Sequence, residues 1–124
     1  MNNLKIDSLD KELEKLEILG DFIGSAIVKP NGLLIASRLP RDIDDRKVGA
    51  MAATMFGAIE TAATTVRENK VNNLTVEFNE YQLLVVGSDE QFILVTLVDL
   101  NINLGLIFIE IEETIKNIKK ILNR

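Results

Sequence analysis

The alternation of apolar and polar positions divides the chain into three helix-like and five strand-like segments. The first, "SLDKELEKLEIL", predicts a short amphipathic helix because its apolar residues recur at spacings of three and four. Asp7 or Ser8 is its expected N-cap, and Gly20 its expected stop. Two strand-like runs follow, "FIGSAIVK" and "LLIAS", and the "PNG" between them predicts a hairpin turn. Pro30 favours that turn, and Pro40 ends the second strand.

The next segment, from Ile43 to about Glu68, predicts a long helix because it contains no proline and opens with two aspartates. At 100° per residue an apolar stripe falls in one sector, which we expect to cover a sheet. Its members are Val48, Ala52, Met55, Ile59, Ala62, Ala63 and Val66. The opposite side carries small or uncharged residues, and Glu60 is the only charge between Val48 and Val66.

Three interpretations of that uncharged side were compared. A membrane span requires a more apolar stretch, uninterrupted by a residue such as Glu60. A helix buried on both sides within one domain requires more covering elements than 124 residues offer. Packing against a second copy of the chain requires small residues that let two helices approach, and Gly and Ala supply them. The third interpretation is the one we favour.

Three further strand-like runs, "NNLTVEFN", "YQLLVVGS" and "FILVTLVD", predict an antiparallel meander because their connections are short. The first alternates and so has one polar face, whereas the other two are continuously apolar, as expected in a sheet interior. The last segment, "NLGLIFIEIEETIKNIKKILNR", predicts a helix. The order is therefore α-β-β-α-β-β-β-α, which indicates an α+β fold with five antiparallel strands.

Composition removes several function classes. A chain of 124 residues predicts one domain, residues 1–124, and a net charge of −5 argues against a nucleic-acid partner. The sequence has neither Cys nor His, so a Ser-His-Asp or Cys-His nucleophile and a His- or Cys-ligated metal site are excluded. Neither a phosphate-binding loop motif nor a dinucleotide fingerprint is present. We therefore expect no enzyme, cofactor or metal, no membrane insertion, and a cytoplasmic location.

Three segments in this order resemble the roadblock/dynein light-chain family, and in particular its prokaryotic gliding-motility GTPase regulators. They are "LEKLEILGDFIGSAIVKPNGLLIASRLP", "VGAMAATMFGAIETAATTV" and "VDLNINLGLIFIEIEETIKNI". The resemblance implies a five-stranded antiparallel sheet between a long central helix on one face and the N- and C-terminal helices on the other. It also implies a homodimer, or a heterodimer with a paralogue, joined through the long helices and an edge strand.

On this resemblance, the expected dimer contacts are Gly49, Ala53, Phe56, Gly57, Glu60 and Thr64 on the helix and Leu74, Thr75, Val76, Glu77 and Phe78 on the edge strand. The implied function is a non-catalytic platform that binds a small Ras-like GTPase and regulates its nucleotide cycle, as an activator or a scaffold. Arg38, Arg41 and Arg46 are candidate GTPase contacts, the first two on the loop expected after the hairpin. The alternatives are a small-molecule-sensing α+β domain and a dynein-light-chain-like structural subunit.

Overall fold

Eight helices and strands follow one another in the predicted order in a computed structural model that describes residues 2–67 and 70–124. They are α1 (Asn3–Ile18), β1 (Phe22–Val28), β2 (Leu34–Arg38), α2 (Asp45–Thr64), β3 (Leu74–Glu77), β4 (Tyr81–Ser88), β5 (Phe92–Asp99) and α3 (Leu104–Leu122). The strands form one antiparallel sheet in the order β2-β1-β5-β4-β3. The predicted α+β fold is confirmed, and β2 and β3 are the edge strands of the sheet.

The central strand β5 has both of its faces buried, which explains its continuous apolar run. Phe92, Leu94 and Val98 belong to one hydrophobic core, and Ile93, Val95 and Leu97 belong to a second core. The two sets alternate along the strand because successive side chains point to opposite faces of a sheet. The sheet therefore lies between two separate apolar layers.

Helices α1 and α3 cover the first core and run antiparallel. Lys5 Nζ donates to the Leu122 carbonyl at 3.4 Å, and Asn117 Nδ2 donates to Glu12 Oε1 at 2.9 Å, so residues early in α1 meet residues late in α3. Glu12 is buried, and its other carboxylate oxygen accepts a 2.8 Å bond from Lys15. These bonds let a carboxylate lie between two helices without losing its hydrogen-bond partners.

Helix α2 covers the second core with a face that coincides only in part with the predicted one. Its buried residues are Gly49, Ala52, Ala53 and Phe56, spaced as one side of a helix. A Cβ on Gly87 would lie 2.8 Å from two atoms of the Phe56 ring, so the ring rests on bare backbone of β4. The predicted stripe is confirmed at Ala52, which is buried, and at Val48 and Met55, which are half-buried against this core. It is wrong at Ile59, Ala62 and Val66, which are exposed, and Ala63 is half-buried.

The ends of two helices also differ from the prediction. Helix α1 begins at Asn3, and its N-cap is Asn2, whose side chain accepts from the Lys5 amide at 2.8 Å. Neither Asp7 nor Ser8 caps it, because both lie inside the helix. Helix α2 ends at Thr64, and the predicted end at Glu68 lies outside the described residues.

The hairpin between β1 and β2 turns at the predicted residues. The Gly32 amide donates to the Lys29 carbonyl at 2.8 Å, which places Pro30 and Asn31 at the centre of a four-residue turn. Gly32 has a φ of 94°, a conformation that disfavours residues with a β-carbon. The turn lies against α2, since a Cβ on Gly32 would be 3.3 Å from the Ala50 Cα.

Candidate dimerisation and partner-binding surface

The outer edge of β3 presents backbone groups that point away from the sheet. The Phe78 amide donates to the Tyr81 carbonyl at 2.7 Å, which makes this a hydrogen-bonded pair of the antiparallel ladder. Because such pairs alternate with non-bonded ones, Val76 and Leu74 also bond to β4. The amides and carbonyls of Thr75 and Glu77 therefore point outward and can accept another strand.

The outward side of α2 is almost uncharged. Ala50, Met51, Thr54, Gly57, Ala58 and Thr61 are exposed on it. The hydroxyls of Thr54 and Thr61 donate to the carbonyls four residues earlier, at 2.9 and 3.1 Å. These bonds satisfy the hydroxyl protons within the helix and leave the threonine methyl groups as part of the surface. We call these six residues the outer face of α2; a solvated helix face normally carries more charge.

The structure separates the predicted dimer residues into two groups. Gly57, Glu60, Thr64, Thr75, Glu77 and Phe78 are exposed, and Leu74 and Val76 are half-buried against the core under α2. Gly49, Ala53 and Phe56 instead face the sheet, which corrects the expectation that they point away from it. The physical reason is that small residues bring a helix close to a sheet as well as to another helix.

Sequence reasoning left Ala50, Met51, Thr54, Ala58 and Thr61 out of the expected contacts. Their outward position could have been inferred from Phe56, the one aromatic residue of α2. A large aromatic side chain favours the buried side of a helix, so Phe56 marks that side. Centring the buried side on Phe56 turns these five residues outward.

The three candidate arginines differ in what surrounds them. Arg38 is the last residue of β2 and does not lie on the following loop. Its Nε lies 2.7 Å from Glu17 Oε2, its Nη1 3.0 Å from Asp10 Oδ2 and its Nη2 3.7 Å from Glu14 Oε2. The hydrogen bonds to Glu17 and then Asp10 raise the pKa of Arg38 above its usual value. The side chain therefore links β2 to α1.

Arg41 and Arg46 are both exposed, the first on the loop before α2 and the second in its first turn. The helix is capped by Asp44, which accepts from the Lys47 amide at 3.1 Å. Ser37 Oγ donates to Asp45 Oδ2 at 2.6 Å, which fixes the start of α2 against β2. Of the three arginines, Arg41 and Arg46 are the two that form no ion pair with residues 2–67 or 70–124 and that a partner can reach without breaking one there.

A cleft of about 810 Å³ lies beside the second half of α2, and its lining includes Phe56, Glu60, Lys70, Ser88 and Phe92. The Ser88 hydroxyl is buried and has no hydrogen-bond partner among residues 2–67 and 70–124.

In that part of the chain, no group of three or more Asp and Glu side chains is placed to hold a metal ion. None of its helices is both long enough and apolar enough to cross a membrane.

Comparisons with known proteins agree with this architecture. The family profile described as "Roadblock/LC7 domain" matches residues 9–98. The chain belongs to this family. Its relatives include uncharacterized protein MJ1340 of Methanocaldococcus jannaschii, which is 39% identical over 114 residues, or 92% of this chain and 96% of that protein. MJ0310 of the same organism has the same identity and coverage.

Solved structures share the roadblock fold along nearly the whole chain. Myxococcus xanthus MglB superposes with a TM-score of 0.90 and 22% identity, covering 99% of this chain and 93% of that one. The gliding protein MglB from Thermus thermophilus superposes with a TM-score of 0.83 and 16% identity, covering 98% and 93%. The predicted family is therefore confirmed by sequence and by fold.

Proposed function

We propose that this roadblock domain is a dimeric, non-catalytic platform that binds a small Ras-like GTPase in the cytoplasm and regulates its nucleotide cycle. The observation that carries the proposal is the outer face of α2, which is exposed and nearly free of charge in a single copy of the chain. The structural similarity to MglB and the roadblock family supports the same role.

The dimer would form by antiparallel pairing of two β3 strands. A two-fold axis perpendicular to the sheet would then continue the sheet across both copies and place both α2 helices on the same face. Thr75 and Glu77 supply the outward backbone groups for this pairing, and Phe78 adds an exposed aromatic side chain beside it. Gly57 and Thr64 lie on the exposed side of α2 toward which a second copy would pack.

The GTPase would bind across the two α2 helices, with Arg41 and Arg46 as the basic contacts. Their exposure at the start of α2 supports this placement, whereas the three carboxylates around Arg38 favour a structural role for that residue. Arg41→Ala and Arg46→Ala are expected to weaken GTPase binding without changing the oligomeric state. The platform would act by positioning residues of the GTPase.

The test is size-exclusion chromatography with light scattering on the protein alone and with a Ras-like GTPase of the same organism. The GTPase is loaded with GDP or with a non-hydrolysable GTP analogue. A dimer that co-elutes with one nucleotide form supports the proposal, and a GTP hydrolysis assay then separates an activator from a scaffold. A monomer that co-elutes with neither form would refute it.

Gly57→Glu tests the dimer surface. A Cβ at residue 57 meets no atom within 4 Å in the described part of the chain, so the new side chain is tolerated within one copy. Replacing a glycine inside a helix also favours the helix by roughly 0.5–1 kcal/mol. We therefore expect a folded monomer, seen as halved mass with an unchanged far-UV CD spectrum.

The matched control is Leu4→Glu, which adds the same charge to α1 on the opposite face of the sheet and should remain dimeric. Ala53→Arg is unsuitable because Ala53 is buried against the sheet, and its failure to dimerise would reflect unfolding. A Gly57→Glu protein that stays dimeric at micromolar concentration would show that α2 is not at the interface.

A further inference from the structure

Four large apolar side chains are exposed where α1 ends and α3 begins. Ile18 is 76% exposed, Leu19 49%, Leu106 62% and Ile109 61%. These residues do not belong to either hydrophobic core of the domain. We call them the α1–α3 end patch.

The antiparallel packing of α1 and α3 brings the four residues to the same end of the helix pair. The bond between Glu12 and Asn117 marks where the two helices are level. From that level Ile18 is about 9 Å along α1 and Ile109 about 12 Å along α3, at about 1.5 Å of rise per residue, both in the same direction. The α1–α3 end patch therefore lies at one end of the helix pair, on the face of the sheet opposite α2.

The rim of this patch is acidic. Six carboxylates lie within four residues of a patch residue along the chain: Glu14, Glu17, Asp21, Glu110, Glu112 and Glu113. Lys15 is the one basic residue within the same distance, and its ammonium lies 2.8 Å from Glu12 Oε2. Arg38 neutralises part of the charge of Glu14 and Glu17, but not that of Asp21 or of the three glutamates on α3.

We propose that the α1–α3 end patch binds an amphipathic helix of a partner protein, with apolar residues on one side and lysine or arginine on its flanks. The exposed apolar residues of two neighbouring helix ends offer a surface onto which a third helix can pack. The acidic rim selects basic flanks and repels anionic phospholipid. This site is independent of the proposed dimer and GTPase surfaces because α2 lies on the other side of the sheet.

The test measures the fluorescence anisotropy of labelled synthetic helical peptides titrated with the full-length protein. One peptide carries leucine on one side and lysine elsewhere, a second replaces lysine with glutamate, and a third has the first composition in scrambled order. Binding of the first peptide alone is expected. The double variant Ile18→Ser/Ile109→Ser should weaken it by roughly tenfold or more, since each isoleucine loses apolar contact.

Leu4→Ser is the matched control, because Leu4 is 77% exposed near the opposite end of α1 and should leave binding unchanged. Equal binding of the ordered and scrambled lysine peptides would overturn the proposal, since it would reflect charge alone. Cosedimentation of the protein with vesicles of neutral and anionic phospholipid, lost in the double variant, would overturn it in favour of a lipid surface. A smaller oligomer in the double variant, without peptide binding, would overturn it in favour of a second copy of this chain.

Discussion

At the scale of single residues, Thr96 lies in the middle of β5 and is fully buried. Its cross-strand neighbours are Ser25 on β1 and Leu84 on β4. The Thr96 hydroxyl has no hydrogen-bond partner among the residues that the structure describes. An unpaired hydroxyl in an apolar layer costs free energy because it has given up its bonds to water.

Thr96→Val should therefore stabilise the fold by about 1 kcal/mol, because it replaces the hydroxyl with a methyl group of similar size. Urea denaturation followed by CD measures the change. Thr96→Ser keeps the hydroxyl and removes the methyl group, so it should destabilise the protein by about 1 kcal/mol. A Thr96→Val protein that is less stable than the parent would show that the hydroxyl is bonded.

The turn between β4 and β5 contains two consecutive residues with positive φ, Asp89 at 44° and Glu90 at 64°. The Gln91 amide donates to the Ser88 carbonyl at 2.8 Å and closes a tight hairpin turn with Asp89 and Glu90 at its centre, and strand pairing begins at Ser88 and Phe92. Such loops favour Asn-Gly or Asp-Gly because a β-carbon is strained in the left-handed region.

Glu90→Gly should consequently raise the free energy of unfolding by about 1 kcal/mol. The measurement is thermal and urea unfolding of the two proteins at the same concentration. Glu90→Ala removes the same charge but keeps a β-carbon, so it should have little effect. Equal gains from the two variants would attribute the effect to charge rather than to backbone strain.

At the scale of secondary-structure elements, the end of α3 is attached to this same turn. Lys119 Nζ donates to Asp89 Oδ2, and Gln91 Nε2 donates to Asn123 Oδ1 at 3.0 Å. The hydrogen bond and then the charge of Lys119 lower the pKa of Asp89. Because the pKa of Asp89 is lowered in the folded protein, the ion pair stabilises the fold at pH values above 3.8, the ordinary pKa of Asp. This stabilisation is lost as the pH falls through the lowered pKa of folded Asp89.

Lys119→Met should therefore reduce the melting temperature at pH 7, and the difference from the parent should disappear in strong acid. The effect should also shrink with added salt, because Asp89 is exposed. Lys120→Met changes an exposed neighbouring lysine and serves as the control. A difference that persists at the lowest pH would mean that Lys119 acts through packing of its aliphatic chain.

The outer edge of β3 gives a separate test of the proposed dimer. Thr75→Pro removes an amide that points away from β4, so the ladder to β4 should survive, as proline is tolerated in edge strands. Pairing with a second β3 should be lost, and light scattering should report a monomer with an unchanged CD spectrum. Val76→Pro is the contrasting variant, since it removes an amide bonded to β4 and should destabilise the domain itself. A dimeric Thr75→Pro protein would contradict strand pairing at this edge.

Strands were the elements that the sequence predicted best. The bounds predicted for β4 and β5 match the structure residue for residue, because continuous apolar runs end at short polar turns. The sequence predicted the position of helix α2 in the chain correctly, but the side of the helix that it assigned to the sheet is right only in part. Gly49 and Ala53 lie on the buried side, and because they are small they contribute little to a hydrophobic pattern. The buried side is decided by Phe56 resting on Gly87, and these residues lie 31 positions apart in the chain.

Long-range polar contacts were not predictable from the sequence. Arg38 looked like a partner contact because it was expected on the loop after the hairpin, and loops often carry partner contacts. The carboxylates that surround it come from α1, more than 20 residues earlier. The edge position of β3 was expected only from the family resemblance, since strand order depends on which strands pair and not on their individual patterns.

At the scale of the whole molecule, the two sides of the sheet differ in the kind of surface they present. The outer face of α2 consists of uncharged and mostly small residues, whereas the side of α1 and α3 combines exposed apolar residues with carboxylates. Under the two proposals, the α2 side would serve the dimer and the GTPase, and the α1–α3 end patch would bind a separate helical partner. The predicted consequence is that Gly57→Glu and Ile18→Ser/Ile109→Ser abolish different associations and do not affect each other.

The contact between Phe56 and Gly87 has a consequence for the proposed dimer as a whole. With no side chain at residue 87, the ring of Phe56 lies directly on the peptide backbone and sets how high α2 stands above the sheet. In the proposed two-fold dimer that height would be the same in both copies, so it would set how the paired helices stand relative to the joined sheet. A methyl group at residue 87 would lift both helices together, and the fit to a bound globular partner would change without any alteration of the residues that touch it.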